Sequence, residues 1–151
     1  MIFSSASAQS DTANWPSQNL NIENSRYSPL DQINISNVDQ LNMLWSFEPG
    51  LRDDIAQVTP LVVDGVMYLH SRATMYALDA TTGEELWRRI LDSGPANGPV
   101  RGSSYAEGRV YAYRGADLYA FDAETGAAVA SFGNAGFLKV VAQGLHHQYP
   151  D

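Results

Sequence analysis

The sequence contains no cysteine and few basic residues, and each shortage excludes a class of protein. Without cysteine, the 151-residue chain forms no disulfide bridge and no cysteine-based metal or catalytic site. Nine Lys and Arg against 17 Asp and Glu give a net charge of -8, which repels nucleic acid and anionic membrane surfaces. No apolar run approaches the roughly 18 residues that a membrane-spanning helix needs. The composition, 44% hydrophobic and 17% charged, predicts a folded domain that binds no nucleic acid and does not span a membrane.

The two ends of the chain resemble cut ends rather than natural boundaries. Residues 1–14 contain Ala6-Ser7-Ala8, which resembles the end of a signal-peptide cleavage site, but no basic residue or long apolar stretch precedes it. The segment is interpreted as a signal-peptide remnant or, alternatively, as a disordered N-terminus. At the other end, His146, His147 and Asp151 could contribute to a metal site, but a polar tail is the preferred interpretation.

A repeat with a period of 43 residues organises the middle of the chain. Residues 76–83 (YALDATTG) return as residues 119–126 (YAFDAETG), and the same shift carries residues 64–68 (DGVMY) onto residues 107–111 (EGRVY). Each copy contains short apolar segments separated by glycine-containing turns, which predicts four strands. Four strands in 40 to 45 residues are typical of one blade of a β-propeller.

The repeat therefore predicts an all-β protein with part of a β-propeller over residues 15–151. Its blades are expected at 56–92 and 99–133, and the first has strands at 60–63, 67–70, 75–78 and 85–90. Upstream, a short helical turn at 36–39 is expected to lead into an orphan strand at 40–48, the outermost strand of a preceding blade. Two blades cannot close a ring, so the chain is expected to be a piece of a larger propeller.

The repeated turn has a physical explanation. The carboxylate of Asp79 can accept backbone N–H bonds, Gly83 can adopt a positive φ, and Trp87 on the next strand can press its ring on a neighbouring blade. Trp87 is therefore interpreted as a packing residue. The second copy has Ala130 at the corresponding position, with Phe132 nearby as a substitute ring.

Four segments together resemble the N-terminal part of pyrroloquinoline quinone (PQQ) dependent dehydrogenases, the quinoprotein alcohol and glucose dehydrogenases. The resemblance covers residues 15–136. It rests on residues 15–17 (WPS), 26–34 (RYSPLDQIN), 59–65 (TPLVVDG) and 101–102 (RG).

The resemblance implies an eight-bladed propeller that binds PQQ near its axis beside Ca2+ and oxidises an alcohol, sugar or polyol by hydride transfer to the quinone. It also implies an exported, periplasmic protein that passes electrons to a quinone or cytochrome. Arg101 aligns with an arginine that clamps the quinone, and Gln57 falls where many members carry a glutamate near a cofactor carboxylate. The catalytic base and the calcium ligands are expected outside this chain, which by itself is expected to be inactive.

The sequence differs from the family pattern at two places. The first difference widens the choice of substrates, and the second leaves a rival function open. Alcohol-oxidising members often carry two adjacent cysteines before the Arg-Gly pair, where this chain has residues 94–98 (GPANG). The uncharged Gln57 also fits a non-catalytic PQQ-like propeller that acts as a periplasmic binding or assembly scaffold. A third alternative is a ring assembled from several copies of the chain.

Overall fold

Two four-stranded antiparallel sheets make up the fold. The computed structural model describes residues 13–50, 58–91 and 102–140. The first sheet has the order β1-β2-β3-β4 and the second β5-β6-β7-β8, so each is a meander of neighbouring strands. The strands are β1 Leu61–Val63, β2 Val66–His70, β3 Thr74–Asp79, β4 Glu85–Ile90, β5 Ser104–Ala106, β6 Arg109–Arg114, β7 Asp117–Asp122 and β8 Phe137–Lys139. This arrangement confirms the predicted all-β fold and its repeated four-stranded unit.

The two sheets bury one shared apolar core between them. β3 is buried along almost its whole length, whereas the outer strand β4 buries only Trp87. The shared cluster combines residues of the first sheet, such as Leu61 and Met75, with residues of the second, such as Val110 and Phe121. Because a four-stranded sheet has two apolar faces, face-to-face stacking of blades is the way it removes them from water.

The last strand of the second blade lies further along the chain than expected. The predicted boundary at residue 133 is wrong, since β8 is Phe137–Lys139. Ala128 forms only an isolated bridge with Phe121, whereas Phe137 pairs with Tyr119 and stacks on its ring at a centroid distance of 6.1 Å. Small alanine side chains around position 128 offer little surface for cross-strand packing, so the aromatic residue forms the strand.

The segment upstream of the first blade contains the expected helical turn and packs on that blade. The short helical turn is confirmed as a 3-10 helix at Val38–Gln40. Residues 41–50 have no ladder partner among the described residues. The strand at 40–48 is expected to pair with strands of a preceding blade that lie elsewhere, so it stays a prediction. Trp45 and Phe47 nevertheless pack on the outward apolar cluster of Leu69, Tyr76 and Leu78. Trp45 therefore lies against the first blade.

Candidate cofactor-binding end of the two blades

A short N-terminal segment connects the innermost strands of both blades. Trp15 exchanges two backbone hydrogen bonds with Val62 of β1, with N···O distances of 2.6 and 3.1 Å. Two residues later, Ser17 bridges to Ser104 of β5. Both pairings are antiparallel, so β1 and β5 run in the same direction. We call the end of the two blades at which β1 and β5 begin the entry end.

The two residues predicted to contact the cofactor precede these two strands. Gln57 and Arg101 lie outside the described residues, so their side chains are not placed. In the sequence they stand four residues before Leu61 and three residues before Ser104. β1 and β5 begin at the entry end, and the position of Gln57 and Arg101 near it stays a prediction. An amide and a guanidinium are hydrogen-bond donors suited to carboxylates, so this pair of residue types fits PQQ, which carries carboxylates around a quinone.

The chain immediately after Arg101 is closely held. The Ser103 side chain is buried, and its hydroxyl lies 3.7 Å from the Met75 sulfur of the first blade. The Tyr105 N–H donates to the Pro16 carbonyl at 2.8 Å. At Gly102, the residue directly after Arg101, an added Cβ atom would lie next to the Gln18 side chain. These contacts come from a different blade and from the N-terminal segment, and they fix the start of β5.

The opposite end of the two blades carries a cavity of about 420 Å³ with the wrong charge for an anionic cofactor. The carboxylates of Asp64, Asp122 and Glu124 are among its lining residues. Burial, together with the neighbouring Tyr105 and the carboxylates of Asp64 and Asp122, raises the pKa of Tyr68 to about 12. The Tyr68 hydroxyl therefore stays protonated at neutral pH and donates to the Ala123 carbonyl at 3.2 Å. Among the described residues that line this cavity there are carboxylates but no Lys or Arg, so its charge does not suit an anionic cofactor such as PQQ.

Two tryptophans pack on the repeated turns. Trp45, upstream of the first blade, contacts the turn of the first blade, and Trp87 of the first blade contacts the turn of the second. A Cβ atom added at Gly83 would lie 2.6 Å from the Trp45 ring, and one added at Gly126 would lie 2.6 Å from the Trp87 ring. Trp87 Nε1 also donates to the Ala123 carbonyl at 2.9 Å. The predicted packing role of Trp87 on a neighbouring blade is confirmed. Phe132, the expected substitute ring of the second copy, packs instead on Tyr111 of its own blade, with ring centroids 5.7 Å apart.

The turns that receive the tryptophans are built as the sequence predicts. Asp79 accepts the N–H groups of Thr81 and Thr82, each at 2.8 Å, and Asp122 accepts the N–H of Thr125 at 2.8 Å. The two backbone bonds lower the pKa of Asp79, and bonds from the Thr125 hydroxyl and backbone N–H lower the pKa of Asp122. Both carboxylates are thus ionised acceptors that belong to turn structure and not to catalysis.

Sequence reasoning missed two groups that contribute to this architecture. No motif in the sequence marks Arg89, yet its Nε donates to the Gly126 carbonyl at 2.7 Å and its Nη2 to the Thr125 carbonyl at 3.1 Å. Gln18 carries no motif. Only the spacing of Arg89, two residues after Trp87 on the same strand face, could have indicated that it reaches the neighbouring turn.

The predictions about metal sites and membrane spans can be compared only with the described residues. Within residues 13–50, 58–91 and 102–140, no group of three His, Asp or Glu side chains could hold a metal ion. His146, His147 and Asp151 lie outside the described residues. The described ranges also contain no helix with the length and apolar character needed to cross a bilayer.

Comparisons with known proteins identify the family. The profile of the glucose/ethanol/alcohol dehydrogenase β-propeller domain (PQQ) matches residues 15–150. The dehydrogenase subunit of the quinone alcohol dehydrogenase of Gluconacetobacter polyoxogenes is 39% identical over 129 residues, which are 79% of this chain and 17% of that protein. The quinohemoprotein alcohol dehydrogenase of Comamonas testosteroni is 36% identical over 125 residues, or 76% of this chain and 17% of that protein.

Solved structures agree with the sequence comparison. The quinohemoprotein alcohol dehydrogenase ADHIIG of Pseudomonas putida HK5 superposes with a TM-score of 0.73 and 34% identity, over 87% of this chain and 19% of that one. The Comamonas testosteroni enzyme gives a TM-score of 0.65 and 33% identity, over 75% and 18%. The chain spans less than a fifth of the length of these relatives. The chain therefore belongs to the family of PQQ-dependent glucose, ethanol and alcohol dehydrogenase β-propellers.

Proposed function

We propose that the chain forms two neighbouring blades of a PQQ-dependent dehydrogenase that oxidises an alcohol, a sugar or a polyol. The observation that supports this function is the common direction of β1 and β5 in a chain of this family. Because Gln57 and Arg101 stand just before these strands in the sequence, we expect both at the entry end. PQQ, when bound beside Ca2+, accepts a hydride from the carbon that bears the substrate hydroxyl. The proposed complete propeller has eight blades, and it supplies the catalytic base and the calcium ligands from outside this chain.

The role proposed for this chain is to bind and orient the cofactor. The Arg101 guanidinium donates charge-assisted hydrogen bonds to a PQQ carboxylate and favours the negative charge that accumulates on reduction. The Gln57 amide donates a hydrogen bond without adding charge. The shared core of the two blades keeps β1 and β5 at a constant separation, so the two donors approach the cofactor from fixed directions.

The cellular setting follows from the same proposal. We place the protein in the periplasm, where it passes electrons to a quinone or a cytochrome. The relatives are named as alcohol dehydrogenases, which makes primary alcohols the first substrates to test. The sequence GPANG at residues 94–98 stands where many alcohol-oxidising members have adjacent cysteines, so glucose and glycerol belong in the same test.

The experiment uses the full-length gene product, purified without cofactor and then titrated with PQQ in the presence of Ca2+. We expect saturable PQQ binding and dye reduction with ethanol, glucose or glycerol. Replacing Arg101→Ala is expected to weaken PQQ binding by about 10- to 100-fold, because one charge-assisted contact contributes roughly 1.5 to 3 kcal/mol. Arg101→Lys is expected to recover only part of this loss, since an ammonium cannot form two parallel bonds.

Arg88→Ala is the matched control for these variants. Arg88 lies on β4 with a side chain that is 65% exposed, and it forms a surface ion pair with Glu85 at 3.4 Å. Its replacement is expected to leave PQQ binding unchanged. A full-length product that folds and binds no PQQ would contradict the dehydrogenase and favour the scaffold function. Equal losses for Arg101→Ala and Arg88→Ala would contradict the role assigned to Arg101.

A further inference from the structure

Buried polar side chains gather at the entry end of the two blades. Because neighbouring strands are antiparallel, β3 and β7 begin at this end together with β1 and β5, and β2 and β6 end there. Apart from tyrosine and tryptophan, every buried polar side chain in the described part of the chain lies at or beside one of these strand ends: His70, Ser71, Thr74, Ser103 and Asp117. The polar groups that the blades bury are thus confined to the end at which both inner strands begin.

The charged side chains of the blades are also divided between the two ends. Within residues 58–91 and 102–140, every carboxylate except that of Asp117 stands on a turn or strand end opposite the entry end: Asp64, Asp79, Glu84, Glu85, Glu107, Asp122 and Glu124. Asp117 is only 7% exposed and is paired in the ladders with Arg114 on one side and Lys139 on the other. Arg72 lies in the turn between β2 and β3, and we call Arg72, Arg114 and Lys139 the cationic rim of the entry end. The other cations of the described blades contact Glu85, contact the turn at 125–126, or begin β6 at the opposite end: Arg88, Arg89 and Arg109.

Arg72 is the exposed residue of a turn that is otherwise closely held. The Ser71 hydroxyl accepts the backbone N–H of Thr74 at 2.8 Å, and the Ser71 N–H donates to the Thr74 carbonyl at 2.8 Å. The Leu91 N–H donates to the Ala73 carbonyl at 2.8 Å. Neighbouring strands are about 4.8 Å apart, so this turn stands within roughly 10 Å of the start of β1. That distance is about one Debye length at an ionic strength of about 0.1 M, so the charge of Arg72 acts on an anion that arrives there.

We propose that the cationic rim attracts anionic PQQ to the entry end and speeds its binding, with Arg72 as the residue that contributes most. This inference rests on the proposed function. PQQ carries carboxylates, so the rim attracts it while the carboxylates of the opposite end repel it. The two ends are separated by the length of β6, which at about 3.4 Å per residue is roughly 17 Å. Because this length exceeds the Debye length at about 0.1 M ionic strength, a change of charge at one end has little effect at the other.

The test measures the association rate constant of PQQ with the cofactor-free full-length gene product in the presence of Ca2+, by stopped-flow tryptophan fluorescence at an ionic strength of about 0.1 M. Arg72→Glu is expected to slow association about three- to fivefold, since a whole charged cleft changes on-rates by about 10- to 1,000-fold and one residue contributes part of this effect. Arg72→Lys is expected to keep the wild-type rate, because it keeps the charge. At about 1 M salt, where the Debye length falls to about 3 Å, Arg72→Glu and the wild type are expected to bind PQQ at equal rates.

Arg109→Glu is the matched control, because it makes the same change of charge at the opposite end, where Arg109 begins β6. Its association rate is expected to stay within about 1.5-fold of the wild-type rate. The melting temperatures of the cofactor-free wild type and Arg72→Glu are expected to agree, since Arg72 is exposed. The wild-type rate is itself expected to fall as salt is added, which tests the inference even if a variant fails to fold.

Four results would overturn the inference while the proposed function stands. They are a wild-type rate in Arg72→Glu, an equal slowing in Arg109→Glu, an equal slowing in Arg72→Lys, and a wild-type rate that does not depend on salt. Absence of PQQ binding by the wild type would instead refute the proposed function.

Discussion

Replacing Gly126→Ala tests how firmly the first blade is attached to the second. Gly126 has a φ of 68°, and a Cβ added there would lie 2.6 Å from Cδ2, 2.8 Å from Cε3 and 3.0 Å from Cγ of Trp87. The new methyl group must therefore displace the indole ring by about 1 Å to reach an ordinary contact distance. The ring is also held by the bond from its Nε1 to the Ala123 carbonyl. Moving it disturbs the packing of the two blades and that hydrogen bond together.

The magnitude follows from three contributions to the free energy of unfolding. A non-glycine residue in the left-handed region costs about 1 to 2 kcal/mol. Overpacking against a buried ring costs about 1 to 3 kcal/mol. Weakening the Trp87 hydrogen bond costs about 0.5 to 1.5 kcal/mol. Gly126→Ala is therefore expected to destabilise the protein by about 3 to 6 kcal/mol.

Gly108→Ala is a matched control, because Gly108 has a φ of 71° but no atom of the described residues lies within 4 Å of an added Cβ. It should cost only the backbone contribution of about 1 to 2 kcal/mol. Urea unfolding of the full-length gene product, followed by tryptophan fluorescence, gives both values from the shift in midpoint. Equal destabilisation of the two variants would refute the docking of Trp87 on the turn. Gly83→Ala repeats the test on Trp45, and it should resemble Gly126→Ala.

Two further predictions concern the repeated turns. Backbone hydrogen bonds lower the pKa of Asp79 from its usual 3.8. The ionised carboxylate therefore stabilises the fold fully above pH 3.8, and this stabilisation disappears as the pH falls through the lower pKa of the folded state. Melting temperatures recorded from pH 6 to pH 2 should therefore fall less steeply for Asp79→Asn than for the wild type, and identical slopes would contradict this role. Arg89→Lys keeps the charge but loses the two-point contact with the Gly126 and Thr125 carbonyls, and should lower the free energy of unfolding by about 1 to 2 kcal/mol in urea titrations. Arg88→Ala should change it by less than about 1 kcal/mol, and an equal loss there would count against the Arg89 contact.

The contacts between blades matter for function because they determine the geometry of the entry end. Tyr68, Trp87 and Arg89 of the first blade all donate hydrogen bonds to carbonyl groups of residues 123–126 in the second. These bonds prevent the blades from sliding past each other. They therefore hold β1 and β5, which begin at the entry end, at one relative position.

The amino-acid sequence by itself determined the repeated unit and its turns. Strands of alternating or fully apolar character, a glycine at a position with positive φ, and an aspartate that accepts neighbouring N–H groups are decided by a few adjacent residues. For this reason β4 at Glu85–Ile90 matches its predicted bounds, and the turn at Asp79 forms as expected. The docking of Trp87 could also be predicted, because stacked repeats place a large ring on an outer strand against the neighbouring blade.

Only the tertiary structure decided which distant segments meet. The fourth strand of the second blade is at Phe137–Lys139 because Tyr119 offers an aromatic partner there, which no local pattern around residues 127–133 indicates. The link between β1 and β5 through residues 15–17 joins backbone groups that are far apart in the sequence, so neither periodicity nor composition records it. The contact of Gln18 with Gly102 follows from that link. Local residue preferences specify the blades, whereas long-range pairing sets the direction of their inner strands and hence the common end at which both begin.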